Sequence, residues 1–321
     1  MVEELLLGDN PFIGVSHLTQ EKAREETGEA SLENKVAVFE AAVRGGATGF
    51  VFSTHKSNLE LLAYLKTHRR DLLNAMNYYV LLPYAQSYVR RANVGGTPRL
   101  LRSSLSSIMH STSATTDIAA ALATLRPERL AGLFIKLELA PYLEVLPKEK
   151  VKTVLLHEIL TDPAAAFHLV DLLKFLDSYV RKRIGISFGL HTKNFGVLHR
   201  RGFFTEILPE YIMTSINPLG YMMAPSKEVV EESIEDLGAK TKIIAINVLA
   251  SGATKLDDAT EYLSRFKDRI YAVSSASSKP HRICENFQTI RLRLGKDHSN
   301  SSRPTGFEAQ IAAGRDTKNL T

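Results

Sequence analysis

Short runs of β-branched, aromatic and aliphatic residues alternate with longer amphipathic runs along most of the chain. The strand-like runs fall at 4–7, 49–53, 78–82, 153–156, 184–188, 211–216, 243–248 and 270–273. Several are almost continuously apolar, such as Ile243-Ile244-Ala245-Ile246. That pattern predicts strands buried on both faces, as in a parallel sheet covered by helices.

Helices are predicted between them. The run 32–44 carries Val36, Val38, Phe39, Ala42 and Val43 at helical spacing. Asp162 followed by Pro163 reads as an N-cap with a first-turn proline. Beyond it, Phe167, Val170, Leu173, Phe175 and Leu176 form one side. Ser226 opens a helix whose inner stripe is Val229, Val230, Ile234 and Leu237, and Asp257 opens another.

Alternating strands and helices imply an α/β fold. Eight strand–helix units over this length fit a single (β/α)8 TIM barrel, which typically takes ~250 residues. A doubly wound sheet is the alternative, but no strand runs into a G-x-G-x-x-G turn. Val94-Gly95-Gly96-Thr97 lacks the spacing. The stretch 133–139 (Leu-Phe-Ile-Lys-Leu-Glu-Leu) also alternates, giving a ninth candidate for eight places. It lies within 83–150, read as a long insertion between strands 3 and 4 at a lid position. The barrel is thus expected over 1–295, with a polar, disordered tail at 296–321.

Composition narrows the class. The chain has 321 residues, 44% hydrophobic and 23% charged, as in ordinary globular proteins. One cysteine excludes an internal disulfide or a multi-thiolate zinc site. The N-terminus is acidic and no apolar run reaches membrane-spanning length, so a cytoplasmic protein is expected. The formal charge of +5 comes from scattered basic pairs rather than a stripe, which argues against nucleic acid and for a small-molecule substrate.

In a TIM barrel, chemistry sits where strands end and βα loops begin. The predicted strand ends carry Asp9 and Asn10; His55 and Lys56; Tyr84; His157 and Glu158; His191, Lys193 and Asn194; Asn217; Asn247 with Ser251 and Gly252; and a run of serines including Ser277. Each is also an ordinary turn or capping residue. Their convergence on one end of a barrel points to a polar-ligand site. Lys136 and Glu138 either pair or face that site. His55, His157 and His191, with Asp9 or Glu158, form a set able to hold a divalent ion. The His-x-His pair usual after the first strand of barrel hydrolases is missing, so no metal ligand is assigned. Cys284 falls inside a helix pattern and no G-x-S-x-G turn occurs, which excludes the common nucleophile elbows.

From His157 onward the motif order resembles the aldo-keto reductase superfamily. Val154-Leu155-Leu156-His157 is similar to that family's fourth strand and its active-site histidine. Asn217-Pro218-Leu219 resembles its Tyr-Asn-Pro-Leu. Ala245-Ile246-Asn247-Val248-Leu249-Ala250-Ser251-Gly252 resembles its seventh strand and pyrophosphate loop. Ser277-Ser278-Lys279-Pro280-His281-Arg282, followed by Glu285-Asn286, resembles its adenosine-end segment. The resemblance implies an NADP cofactor. Ser277 and Arg282 would hold the 2′-phosphate, Glu285 and Asn286 the adenine, Asn194 the carboxamide, and Asn217, Asn247, Leu249, Ser251 and Gly252 the remainder.

The departures are specific. The family places Asp and Tyr after the second strand and Lys at the end of the third; here stand Phe52-Ser53-Thr54-His55 and Leu81-Leu82-Pro83-Tyr84. Its nicotinamide-stacking Tyr is Ile216, and a 2′-phosphate Lys is Ala276. The expectation is an NADP(H)-linked oxidoreductase with a non-standard proton donor: His157, His55, or Lys56 with Tyr84. Two alternatives stand beside it. One is a lyase or isomerase of a small anionic substrate, using His157, Glu158, Lys193 and Asp9, with Lys193 available for imine chemistry. The other is a non-catalytic binding protein.

Overall fold

The computed structural model describes residues 1–13, 31–83 and 127–295. Eight parallel strands close into a barrel in sequence order. They are β1 (Glu4–Gly8), β2 (Gly49–Ser53), β3 (Asn77–Leu82), β4 (Val151–Leu156), β5 (Ser187–His191), β6 (Tyr211–Ser215), β7 (Lys242–Ile246) and β8 (Ile270–Ser275). Leu6 registers with Gly49 on one side and Ser274 on the other, which closes the ring. The helices outside are α1 (Leu32–Gly45), α2 (Lys56–His68), α3 (Arg70–Ala75), α4 (Pro127–Val145), α5 (Glu158–Ala166), α6 (Val170–Tyr179), α7 (Phe195–Arg200), α8 (Phe203–Glu206), α9 (Lys227–Leu237), α10 (Leu256–Ser264) and α11 (Pro280–Leu294). The TIM-barrel expectation therefore holds.

The inside of the barrel is filled by Leu6, Val51, Tyr79, Leu155, Tyr211, Met213, Ile244 and Ala272, one apolar cluster separate from the larger one under the helices. Gly189 of β5 makes room for it. A Cβ there would lie 2.7 Å from both Leu155 Cδ2 and the Tyr211 carbonyl. At the N-terminal end the plug is polar. Tyr79 and Tyr271 share a hydroxyl hydrogen bond of 3.2 Å. Lys242 donates to Glu210 and to the Tyr211 hydroxyl, and its ammonium lies over the Tyr211 and Tyr271 rings.

Three local expectations need correction. The stretch 133–139 is helix, not strand. Its local alternation is part of a longer stripe, Ile135, Leu139, Tyr142 and Leu146, all buried, whose spacing of four, three and four is helical. The fifth strand begins at Ser187, because 180–184 form a π-turn that closes on left-handed Gly185. Asp162 is no N-cap. It and Pro163 sit inside α5, and the chain breaks instead at His168 (φ 54), leaving Phe167 77% exposed. By contrast, Ser226 does cap α9, accepting from the Val229 amide. Gly14, His17, Tyr84, the glycine pair at 95–96, most of the insertion and the tail lie outside the described residues.

Burial acts to raise the Glu210 carboxyl, but the Ser187 hydroxyl, Lys242 and Arg181 outweigh it and hold it below its ordinary 4.5. A carboxylate held low in the folded state contributes stability above its unfolded pKa and loses it as pH falls. Glu210→Gln should therefore show a smaller drop in melting temperature than the parent as pH is lowered through 4.5 and below. Parallel curves in the two proteins would refute the role of this plug.

Candidate active site at the C-terminal mouth

Two polar clusters form where the strands end. The first joins β1 and β2. Asp9 follows β1 and is buried; its Oδ2 accepts from the Ser53 amide (2.8 Å), the Ser53 hydroxyl (2.6 Å) and the Asn58 side-chain amide (2.7 Å). Burial raises the Asp9 pKa, and the Ser53 and Asn58 donors oppose the rise. With three donors on one oxygen, Asp9 Oδ2 ties the end of β1 to β2 and α2 at the mouth. Thr54 donates to Glu138 Oε1 on α4 (2.7 Å), and the Tyr142 hydroxyl donates to the His55 carbonyl (3.0 Å). Glu138 thus turns toward the mouth although it belongs to a helix. His55 is the N-cap of α2, its Nδ1 accepting from the Ser57 amide. Lys56 points outward. Its side chain is 86% exposed and pairs with Glu60 one turn along α2.

The second cluster joins β4 and β5. His157 caps α5, with Nδ1 accepting from the Ile159 amide (3.3 Å). Glu158 occupies the first position of α5, where the helix dipole favours a carboxylate. Its Oε2 lies 2.6 Å from His191 Nδ1 and 3.0 Å from His157 Nδ1, and its Oε1 lies 2.9 Å from Lys193 Nζ. The two imidazole rings are 5.4 Å apart and nearly perpendicular. Burial acts to raise the Glu158 carboxyl, yet His157 and His191 outweigh it and hold it well below the usual carboxylate range. Burial likewise depresses His191, against the pull of Glu158. Behind this group Asp162 Oδ1 accepts from the Thr192 hydroxyl and its Oδ2 from the Lys193 amide, which fixes the β5–α7 loop.

The structure therefore brings His157, Glu158 and Lys193 together. Asp9 and His55 sit in the other cluster, and Lys56 joins neither. His191 is the central group that the sequence reasoning left off its catalytic set. The signal was available: residues 191 and 193 are two apart at a strand end, so they share a face.

Among the residues assigned to a cofactor, the β7 loop is the most distinctive. Asn247 (φ 53), Ala250 (φ 46), Ser251 (φ 59) and Gly252 (φ 88) all take left-handed backbone. The Ser251 hydroxyl is buried and has no hydrogen-bond partner among the described residues. Leu249 packs partly buried against the core. Asn247 donates to the Ser215 hydroxyl. Asn217 is buried and closes its own loop, exchanging two hydrogen bonds with the Tyr221 backbone. Asn194 is half-buried at the start of α7. Around the start of α11, Ser277 accepts from the Lys279 amide, Arg282 and Glu285 are exposed, and Asn286 is buried against Ser275. A separate depression of about 570 Å³ between α5, α7 and α8 is lined by Asp162, His168, Asn194 and Glu206, among others.

With the geometry in place, comparison with solved structures is informative. The chain matches a protein described as an aldo-keto reductase from Pseudomonas aeruginosa at a TM-score of 0.51 and 16% identity, over 91% of this chain and 92% of that one. It matches the aldo-keto reductase AKR11C1 from Bacillus halodurans, in its holo form, at 0.50 and 10% identity, over 98% and 92%. The barrel is aldo-keto reductase-like. Identities this low carry the fold alone. No family model matches the chain, and no curated protein does. No helix among the described residues is long and apolar enough to cross a membrane.

Asp9→Ala would leave a buried amide N–H, a hydroxyl and a carboxamide without their acceptor, at a cost of about 3 kcal/mol. Lys56→Ala, at an exposed helix position, should stay within about 0.5 kcal/mol. Urea unfolding of both variants checks this. An Asp9→Ala protein as stable as Lys56→Ala would remove Asp9 from its structural role.

Proposed function

We propose that the chain is an NADP(H)-linked oxidoreductase acting on a small carbonyl or hydroxy compound, with its proton donor drawn from the β4–β5 cluster. The observation that carries this reading is the β7 loop. Three non-glycine residues in left-handed backbone, at a cost of about 1–3 kcal/mol each, need a compensating purpose. Concave backbone of this kind binds phosphate oxygens, and the unpartnered Ser251 hydroxyl adds a donor. This is the loop whose sequence resembles the aldo-keto reductase pyrophosphate loop. The residues near the start of α11 suit the other phosphate: Ser277, Lys279 and the exposed Arg282 beside a helix N-terminus that no side chain caps. At the nicotinamide end the resemblance lapses, since Ile216 stands where the family has an aromatic ring and is fully buried in the core.

When bound, the reduced nicotinamide supplies the hydride. The chain's own task is to position the carbonyl and give its oxygen a proton. His157 is suited to this. Its Nδ1 accepts from the Ile159 amide, which assigns the proton to Nε2, and no described residue accepts from Nε2. Glu158 Oε2 stands beside both imidazole rings, and Lys193 meets the other oxygen of that carboxylate. Asp9 serves as a positioning residue here, its Oδ2 holding Ser53 and Asn58. Imine chemistry at Lys193 has less support, because its Nζ is engaged with Glu158 Oε1 at 2.9 Å.

Titration of the protein with NADPH, followed by cofactor fluorescence, is the direct test. Saturable binding is expected, and Arg282→Ala should weaken NADPH by roughly tenfold or more while leaving NADH nearly unchanged, as for loss of a charge-assisted contact. No binding at millimolar NADPH would overturn the reading. His157→Ala should retain NADPH affinity but lose carbonyl reduction.

A further inference from the structure

We propose that His157, Glu158 and His191 form a binding site for one divalent first-row transition ion, of the zinc or cobalt kind, at the joined ends of β4 and β5. The case begins with what lies around Glu158 Oε2. Two ring nitrogens stand 2.6 and 3.0 Å from it, close contacts that lack the directional geometry of a full hydrogen bond. The His157 Nδ1 lone pair takes the Ile159 amide only at 3.3 Å, a long contact that an ion would displace. Oε2 and both His191 nitrogens are buried without a hydrogen-bond partner among the described residues, and His191 itself is only 6% exposed. Buried polar atoms left in this state are costly.

Three lone-pair atoms from these residues lie within 4.8 Å of one another. Nitrogen and oxygen ligands at about 2.0–2.1 Å from a tetrahedral ion stand roughly 3.3 Å apart. The 2.6 and 3.0 Å separations are shorter than that edge, so the carboxylate oxygen must draw back from the rings by up to about 0.7 Å to seat an ion among the three atoms. Two imidazoles with one carboxylate favour zinc, cobalt, nickel or iron(II) over magnesium or calcium.

The surroundings support such a site. The ligands leave from the ends of neighbouring strands that stay in register as far as Leu156 with Leu190, so the scaffold is rigid. Lys193 holds Oε1 at 2.9 Å, which orients the carboxylate and leaves Oε2 to the ion. With Nδ1 as ligand, His157 keeps Nε2 turned away from the ion. Three protein ligands leave at least one position for water or a substrate oxygen, so the ion would act as a Lewis acid where this chain lacks the tyrosine and lysine of the aldo-keto reductases. The proposal does not depend on NADP(H) binding.

The test uses full-length protein stripped of metal by chelation and dialysis. Titration with Zn²⁺ by calorimetry, and with Co²⁺ by visible absorbance, should show one tight equivalent, and Zn²⁺ should raise the melting temperature. Glu158→Gln and His191→Gln should weaken uptake by more than about tenfold. His157→Ala, at a partly exposed position, should do the same and guards against misfolding at buried His191. His168→Ala and His199→Ala should leave the tight equivalent intact. Absence of a one-equivalent site in the parent would overturn the proposal. So would uptake that persists in folded Glu158→Gln and His157→Ala. NADPH titration of the same samples is read separately, so a failed cofactor reading and a failed metal site remain distinguishable.

Discussion

The contact between Gly189 and Tyr211 sets the terms for the rest of this barrel. Parallel strands in a closed ring must fill their own interior, and the filling must fit without voids. Here large rings, Tyr79 and Tyr211, occupy one side, so β5 has to offer no side chain at Gly189. That packing brings β4, β5 and β6 close together in register. It also places the residues just beyond Leu156 and Leu190 beside one another. The proximity of His157, Glu158 and His191 is a consequence of interior packing two to three residues below them.

The mouth is divided accordingly. On the β1–β2 side, Asp9 Oδ2 gathers donors from Ser53 and Asn58, and α4 is tied down through Glu138 and Tyr142. On the β4–β5 side, charges face one another with fewer directed hydrogen bonds. The second and third strand ends carry Ser53, Thr54, His55 and Leu82, and the tightest group of titratable side chains stands two strands further round. A barrel accommodates such a group at any position because every strand ends at the same rim.

Much of this was legible in the sequence. Continuous apolar runs separated by amphipathic ones gave the strand count, and caps such as Ser226 gave true boundaries. The errors have physical causes. The 133–139 stretch alternates over seven residues, but its buried stripe only becomes helical when Tyr142 and Leu146 are included. Asp162 has the composition of a cap, yet Thr192, distant in sequence, captures its carboxylate. Lys56 and His55 are adjacent at a strand end, but a helix begins between them and turns the lysine outward. His191 was visible as a strand-end histidine. That both of its nitrogens lack a partner depends on the fold and is not encoded in any local window.

The left-handed loop after β7 bears on how such a chain changes over evolutionary time. Net stabilities of domains are only about 5–15 kcal/mol, so strain at Asn247, Ala250 and Ser251 takes a sizeable share of the margin against unfolding. Selection for stability alone would replace these residues with glycine, which occupies this backbone without strain. Asn, Ala and Ser hold the segment in that backbone at a cost in thermostability. Where the backbone alone is under selection, this loop is the part of the rim with most stability to gain from glycine.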